Sequence, residues 1–209
     1  MVQSRKSGRP PIKSEVEILR AALAAFARNG YEATSVRSLN GELGLSHETI
    51  GQRFGTKLDL YFAALDFGIA EFFEATIAIR SARPNPDNDL EALRETLRIF
   101  MTVAADHPEL GQLIQQEGLR PSERLDYLVQ RGFEPGTAFL GSLLRRLIAR
   151  REIRPTSIRE VFFLSQAGGA PFALSALSTA FDNAAGPLDP VSYIENITDI
   201  IMAGLRRVP

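Results

Sequence analysis

Residues 46–57 read SHETIGQRFGTK, which puts Ser46, His47, Glu48, Thr49, Gln52, Arg53 and Lys57 in one short run. These side chains reach out and form hydrogen bonds; none is set up as a nucleophile. Arg and Lys pair with phosphate, as do Ser and Thr hydroxyls, whereas Gln, His and Glu can match base edges. His47 suits a base edge, a phosphate or a bystander's place in solvent. Glu48 could accept from a cytosine amino group or cap the start of a helix. A solvated helix face in an unrelated bundle is the plainer alternative for the whole run. Other chemistries lack their residues. There is no cysteine, which excludes disulfides, thiolate catalysis and Cys-ligated zinc. The two histidines, His47 and His107, form no H-E-x-x-H pair. We therefore expect no metal, no cofactor and no enzyme activity, although a carboxylate pair in the acidic body would be the place to look for one.

The elements that must hold this run are helical. Leu19, Leu23 and Phe26 recur at i, i+4, i+7, and Ser14 with Glu17 forms a capping box. Gly30 is placed to end that helix. Ser35 can cap a second helix carrying Val36, Leu39 and Leu43 on one face, with Gly44 at its end. Ser46 is a good N-cap for a third helix of about 47–53, whose inward residues would be Ile50 and Phe54. Two short helices around a glycine turn make a helix–turn–helix pattern, and the B-DNA major groove is wide enough to admit the second. Thr34, Ser35 and Lys57 are then placed to meet phosphates.

Further helices are expected near 57–80, 89–105, 107–118, 122–150, 157–181 and 190–206, with prolines as punctuation. Pro135 and Gly136 should kink or split the 122–150 element. The fold class is all-α: an N-terminal three-helix domain with a helix–turn–helix, residues 1–56, then a larger helical domain, residues 57–209. The GGAP stretch at 168–171 lacks a preceding strand and a following Lys-Ser/Thr, so it reads as a close helix crossing and not a phosphate loop.

The chain has 209 residues, of which 44% are hydrophobic and 23% charged, a balance that favours a folded core over disorder. Net charge is -1, yet residues 1–57 hold nine Lys/Arg against five Asp/Glu, and the remainder fifteen against twenty. A basic head on an acidic body suits a small polyanion-binding domain on a larger module. Arg5, Lys6 and Arg9, in RKSGRPP, could form an arm in the minor groove or a plain basic tail. No stretch approaches the roughly 18 apolar residues of a membrane span. The N-terminus lacks an apolar signal region. A cytoplasmic protein without membrane contact is expected.

ILRAALAAFARNGYEATSVRSLNGELGLSHETIGQRFGTKLDLYFAAL resembles the DNA-binding domain of the tetracycline-repressor (TetR) family. The likeness spans roughly residues 15–65 and includes Ile18, Ala22, Phe26, Gly30, Tyr31, Thr34, Val36, Leu39, Gly44, Ser46, Thr49, Phe54, Lys57 and Leu60. The resemblance implies a homodimeric regulator, usually a repressor, with a recognition helix at 46–53. It also implies a regulatory domain that holds a small ligand and a dimer interface made by the last two helices. Two residues depart from the family pattern. Gly51 stands where the family usually has a phosphate-touching Tyr, and Asn40 where it prefers a small apolar residue.

On that footing the partners are a palindromic DNA operator, a mainly apolar small-molecule effector and a second copy of the chain. Phe72, Phe100 and Phe133 are the expected ligand-cavity residues, although aromatics at helical spacing are more often plain core. Ile194, Ile197, Ile201 and Leu205 form one apolar stripe, and Phe162, Gly169, Ala173 and Leu177 a second, expected to pack across the two-fold axis. A DNA-binding structural protein without a ligand is the alternative; a filled core and sequence-blind binding would favour it.

Overall fold

Side-chain caps start most of the helices in the computed structural model, which describes residues 13–207. Ser14 and Glu17 close the expected capping box on α1 (Glu15–Ala33), Glu17 N donating to Ser14 Oγ at 3.2 Å and Ser14 N to Glu17 Oε2 at 2.9 Å. Those bonds and the nearby Lys13 ammonium lower the Glu17 pKa to about 2. At Gly30 the backbone turns to φ 80°, so α1 breaks there before a final turn. Next come α2 (Val36–Glu42), α3 (Thr49–Phe54) and α4 (Lys57–Ser81).

The chain packs as two units, one ending at Phe67 and the other beginning at Gly68. Residue 57 marks the start of α4, but packing carries the first unit further. Leu60, Tyr61, Ala64 and Leu65 are buried, and the Tyr61 ring meets Phe26 at 5.0 Å and Tyr31 at 5.4 Å. This aromatic trio, with Ile18, Ala22, Leu39 and Ile50, makes the small core under α1–α3.

The second unit continues with α5 (Asp89–Asp106), α6 (Pro108–Glu117) and α7 (Glu123–Leu128). A π-helix, Val129–Phe133, leads into α8 (Glu134–Ala149), followed by α9 (Ile158–Ala173), α10 (Ser175–Thr179), α11 (Asp182–Ala185) and α12 (Pro190–Leu205). No strand forms among the described residues; one isolated bridge joins Ile153 to Arg206. The expected interruption at Pro135–Gly136 takes the form of this π-turn. Pro135 has no N–H for the carbonyl four residues back, and Glu134 N bonds instead to Val129 O, five back. The single helix expected over 157–181 is two, α9 and α10. Pro171 lies inside α9, and Leu174 leaves helical geometry at φ -107°, ψ 51°. His107 joins α5 to α6 and sets its ring edge on Phe72, a structural position.

Packing around α5 overturns the expected dimer stripes. Ile194, Ile201 and Leu205 are buried in the subunit's own core with Leu93, Leu97, Met101, Leu143 and Leu147. Ile197 packs partly buried on the same cluster, because α12 turns that face to α5. On the other stripe, Ala173 is buried, Gly169 is half-buried beside Ala104, and Phe162 stacks edge-on against Phe133; only Leu177 is exposed. The outward apolar residues are instead Phe163, Leu164, Leu174, Phe181, Val191 and Ile200. Periodicity located the apolar stripe of α12 correctly but turned it to the surface, where the subunit's own core takes it.

The 168–171 stretch is the close crossing expected of it. A Cβ on Gly168 would lie 2.7 Å from Ile197 Cγ2 and 2.9 Å from Met101 Sδ. Gly168→Ala should therefore overpack this crossing and cost about 1–3 kcal/mol. The expected sign is a lower urea midpoint at an unchanged slope; a midpoint at or above that of the parent would show that the crossing has slack.

Candidate nucleic-acid interface and cavity

The turn between α2 and α3 is tied down from within by Asn40, whose side chain is 0% exposed. Its Nδ2 donates to the His47 carbonyl at 3.0 Å, and its Oδ1 accepts from Ile50 N at 3.2 Å. Its backbone carbonyl accepts from Leu45 N at 2.8 Å. One buried amide thus replaces the helical bonds that residues 47 and 50 would otherwise lack. Gly44, at φ 67°, makes the turn possible. Asn40 departs from the family pattern in sequence, and the geometry explains why a polar residue is tolerated there.

This clamp also changes where α3 begins. Ser46 does not cap a helix over 46–53; its carbonyl takes Thr49 N at 3.1 Å, and its hydroxyl pairs with that of Thr49 at 2.7 Å. Residues 47–48 form a turn and α3 starts at Thr49. Glu48 sits at the N-cap without a side-chain capping bond and accepts from Gln52 Nε2 at 3.2 Å. His47, Glu48, Gln52 and Arg53 are exposed and Thr49 half-buried, so the polar face faces outward as expected. Gly51 has nothing within 4 Å of where a Cβ would stand, so it leaves open space on this face.

The flanking residues divide between outward and inward roles. Ser35 is exposed and caps α2, accepting from Ser38 N at 3.3 Å. Thr34, expected to reach phosphate, is buried: its hydroxyl lies 2.7 Å from the Gly30 carbonyl and 3.2 Å from that of Ala25, sealing the break in α1. Arg53 spends one of its five N–H donors on the Lys13 carbonyl at 2.9 Å. Lys57 donates to the Glu32 carbonyl at 3.1 Å and lies 4.4 Å from the Tyr31 ring centre, which fixes its ammonium beside the polar face. Arg5, Lys6 and Arg9 lie outside the described residues.

Thr56 and Asp59, which sequence reasoning passed over, cap α4. Asp59 N donates to Thr56 Oγ1 at 3.2 Å, and Thr56 donates to Asp59 Oδ2 through its hydroxyl at 2.6 Å and its N–H at 2.8 Å, which holds the Asp59 carboxyl below its ordinary pKa. A Cβ on Gly55, at φ 86°, would come within 2.8 Å of that carboxylate. The T-x-x-D spacing ahead of an apolar run was the available signal.

The second unit encloses a cavity of about 760 Å³. Phe72, Phe100 and Phe133 all line it, together with Phe73, Phe139 and Phe162. Phe72 meets Phe100 at 5.7 Å, and Phe133 meets Phe162 at 4.8 Å. Gly132 and Phe133 bring the π-turn into its wall. Among the described residues no group of His, Asp and Glu is arranged to hold a metal, and no helix is long and apolar enough to cross a membrane.

Residues 18–64 match the family model described as bacterial regulatory proteins, tetR family. The HTH-type transcriptional repressor AcnR of Corynebacterium efficiens is 40% identical over 57 residues, 27% of this chain and 30% of that protein. The match thus spans under a third of that relative's length. Among solved structures, the hemolysin II transcriptional regulator HlyIIR aligns with TM-score 0.65 at 22% identity, over 92% of this chain and 97% of its own. The ketosteroid transcriptional regulator KstR2 of Mycobacterium tuberculosis aligns with TM-score 0.63 at 20% identity, over 94% of this chain and 97% of its own. These two likenesses show that the fold is shared along nearly the whole chain.

Asn40→Ala would leave the His47 carbonyl and the buried Ile50 N–H without these partners. We expect a loss of about 2–4 kcal/mol from two such groups. Amide exchange at Ile50 should accelerate accordingly; protection equal to the parent's would show that the clamp is dispensable.

Proposed function

We propose that this chain, which belongs to the tetR family of bacterial regulatory proteins through its N-terminal unit, is a homodimeric, ligand-responsive transcription regulator that acts as a repressor on palindromic operator DNA. One observation carries the reading: the family match over 18–64 coincides with an exposed polar face on α3, seated by a buried amide. In this reading His47, Glu48 and Gln52 read base edges. Ser35, Ser46, Thr49, Arg53 and Lys57 meet phosphate or sugar, and Arg5, Lys6 and Arg9 extend into the minor groove. The relative named a transcriptional repressor supports the sign of regulation.

The effector site in this reading is the phenylalanine-lined cavity. A void of about 760 Å³ falls in the range of small-molecule pockets and favours an effector over the ligand-free structural alternative, which needs a filled core. Release of DNA requires that the ligand bind the non-DNA-binding conformation more tightly; equal affinity for both would shift nothing.

The two-fold contact in this reading uses the outward faces of α9 and α12. Phe163 is 63% exposed and Ile200 65%, with Leu164, Leu174 and Val191 also uncovered. Such a face is an association liability on a lone subunit, and a second copy buries it. Two heads would then meet half-sites about 34–36 Å apart, one helical turn of DNA.

Selection of random duplexes by the purified protein should return a palindrome. Affinity for it should fall steeply with salt, and Arg53→Ala and Lys57→Ala should each weaken it by about 1–3 kcal/mol. A flat plot of log K against log salt would sink the DNA-binding reading. Phe163→Glu with Ile200→Glu should give a folded monomer by sedimentation, because both side chains start in solvent. A dimer that survives the double substitution would place the interface elsewhere.

A further inference from the structure

Along α4, Phe72, Thr76 and Arg80 follow one another at four-residue intervals, so they share one helical stripe, and all three line the cavity. The stripe passes from aromatic to hydroxyl to cation over about 12 Å at 1.5 Å per residue. Arg80 is the one cationic side chain among the described residues that line this cavity.

Its partners are neutral. Nη1 donates to the Pro84 carbonyl at 3.0 Å and Nη2 to Asn85 Oδ1 at 3.2 Å. Those bonds position the guanidinium without cancelling its charge. Other arginines of this unit are ion-paired: Arg146 grips both oxygens of Asp89 at 2.9 Å, Arg150 holds the same carboxylate, and Arg83 and Arg98 share Glu95. The acids on the cavity wall leave Arg80 uncompensated, because Asp89 is already held by two guanidinium groups and Asp87 is exposed to solvent.

Of the remaining polar wall, Asn88 offers only neutral amide N–H groups, its Oδ1 accepting from Glu91 N at 2.9 Å, and the hydroxyls cannot donate, that of Thr137 being spent on the Glu134 carbonyl at 2.9 Å. Each hydroxyl has one proton, and Thr76 spends it on the Phe72 carbonyl at 2.8 Å, Thr96 on that of Ala92 at 2.7 Å and Ser165 on that of Val161 at 2.8 Å. A ligand's acceptor group therefore finds its strong donor at Arg80, while the rest of the molecule meets phenylalanine.

We infer that the cavity takes an amphipathic organic anion, with its carboxylate at Arg80 and its apolar body extended along Phe72 and Phe100. The inference deepens the proposed effector site and rests on that reading.

The test compares octanoate with 1-octanol by calorimetry on the full-length protein at neutral pH, below micelle-forming concentrations. Octanoate should bind more tightly by roughly tenfold or more, the effect of one charge-assisted hydrogen bond. Arg80→Met should bring the two probes to parity, and Arg80→Lys should keep most of the preference, separating charge from packing. Equal binding of both probes to the parent, no binding of either, or a preference that survives Arg80→Met would overturn the inference. DNA binding is measured on the same preparations. Operator affinity that persists while octanoate fails to bind sinks the cavity inference alone. Protein that binds octanoate at Arg80 but no DNA sinks the regulator reading and leaves the ligand class standing.

Discussion

The buried amide of Asn40 is the constraint on which the exposed polar face of α3 depends. A turn as tight as residues 43–48 strands backbone groups that a longer helix would satisfy, and Asn40, buried with Leu39 and Ile50, stands where it can bond them. Asn40 carries a donor nitrogen and an acceptor oxygen on a single planar group and bonds through each, to His47 O and Ile50 N. With the turn held this way, α3 begins at Thr49, and the side chains of His47 and Glu48 project from a turn ahead of the helix. Thr34 makes a similar repair at the break in α1, where its buried hydroxyl closes on carbonyls that Gly30 has displaced. Small buried polar groups thus set where the exposed ones can stand.

The second unit solves a different problem, because it keeps a large apolar void beside a dense core. Density is concentrated where α5 meets α9 and α12, and Gly168 lets those helices approach to a distance that no larger residue permits. The void borders this core, sharing Leu97 and Val161 with it, and is bounded by α4, the π-turn, α8 and the start of α9. A π-turn widens the local backbone, and here it follows from Pro135, so one residue without an N–H shapes a cavity wall.

How far the sequence disclosed this depends on what each signal measures. Caps are local, and Ser14, Ser35, Ser122, Ser157 and Asp189 all lie at helix starts where residue type alone would put them. Ser46 looked equally good and does not cap, because a buried residue six positions earlier competes for the same turn. Local propensity yields to such a bond, and nothing at residues 46–49 announces it. The sequence signal was the oddity of Asn40 itself, an amide at a position facing the core. Phe72, Phe100 and Phe133 do meet around the cavity, yet their spacing alone could not separate wall from core.

The stripe on α12 shows the limit of periodicity most clearly. Ile194, Ile197, Ile201 and Leu205 share a face at helical spacing, and Val191 and Ile200 are exposed outside it. Such spacing marks the face as apolar but does not say whether the subunit's own core or a second copy covers it. The polar residues decide it. Arg94 and Arg98 on α5 reach Glu195 on α12, and Arg94 also reaches Asp199; these ion pairs flank the buried face like a seam. Acid positions four apart on one helix, answered by arginines four apart on another, fix the rotation of α12 about its axis. The apolar face beside these acids turns inward to the core, while Val191 and Ile200 stay without cover from their own chain.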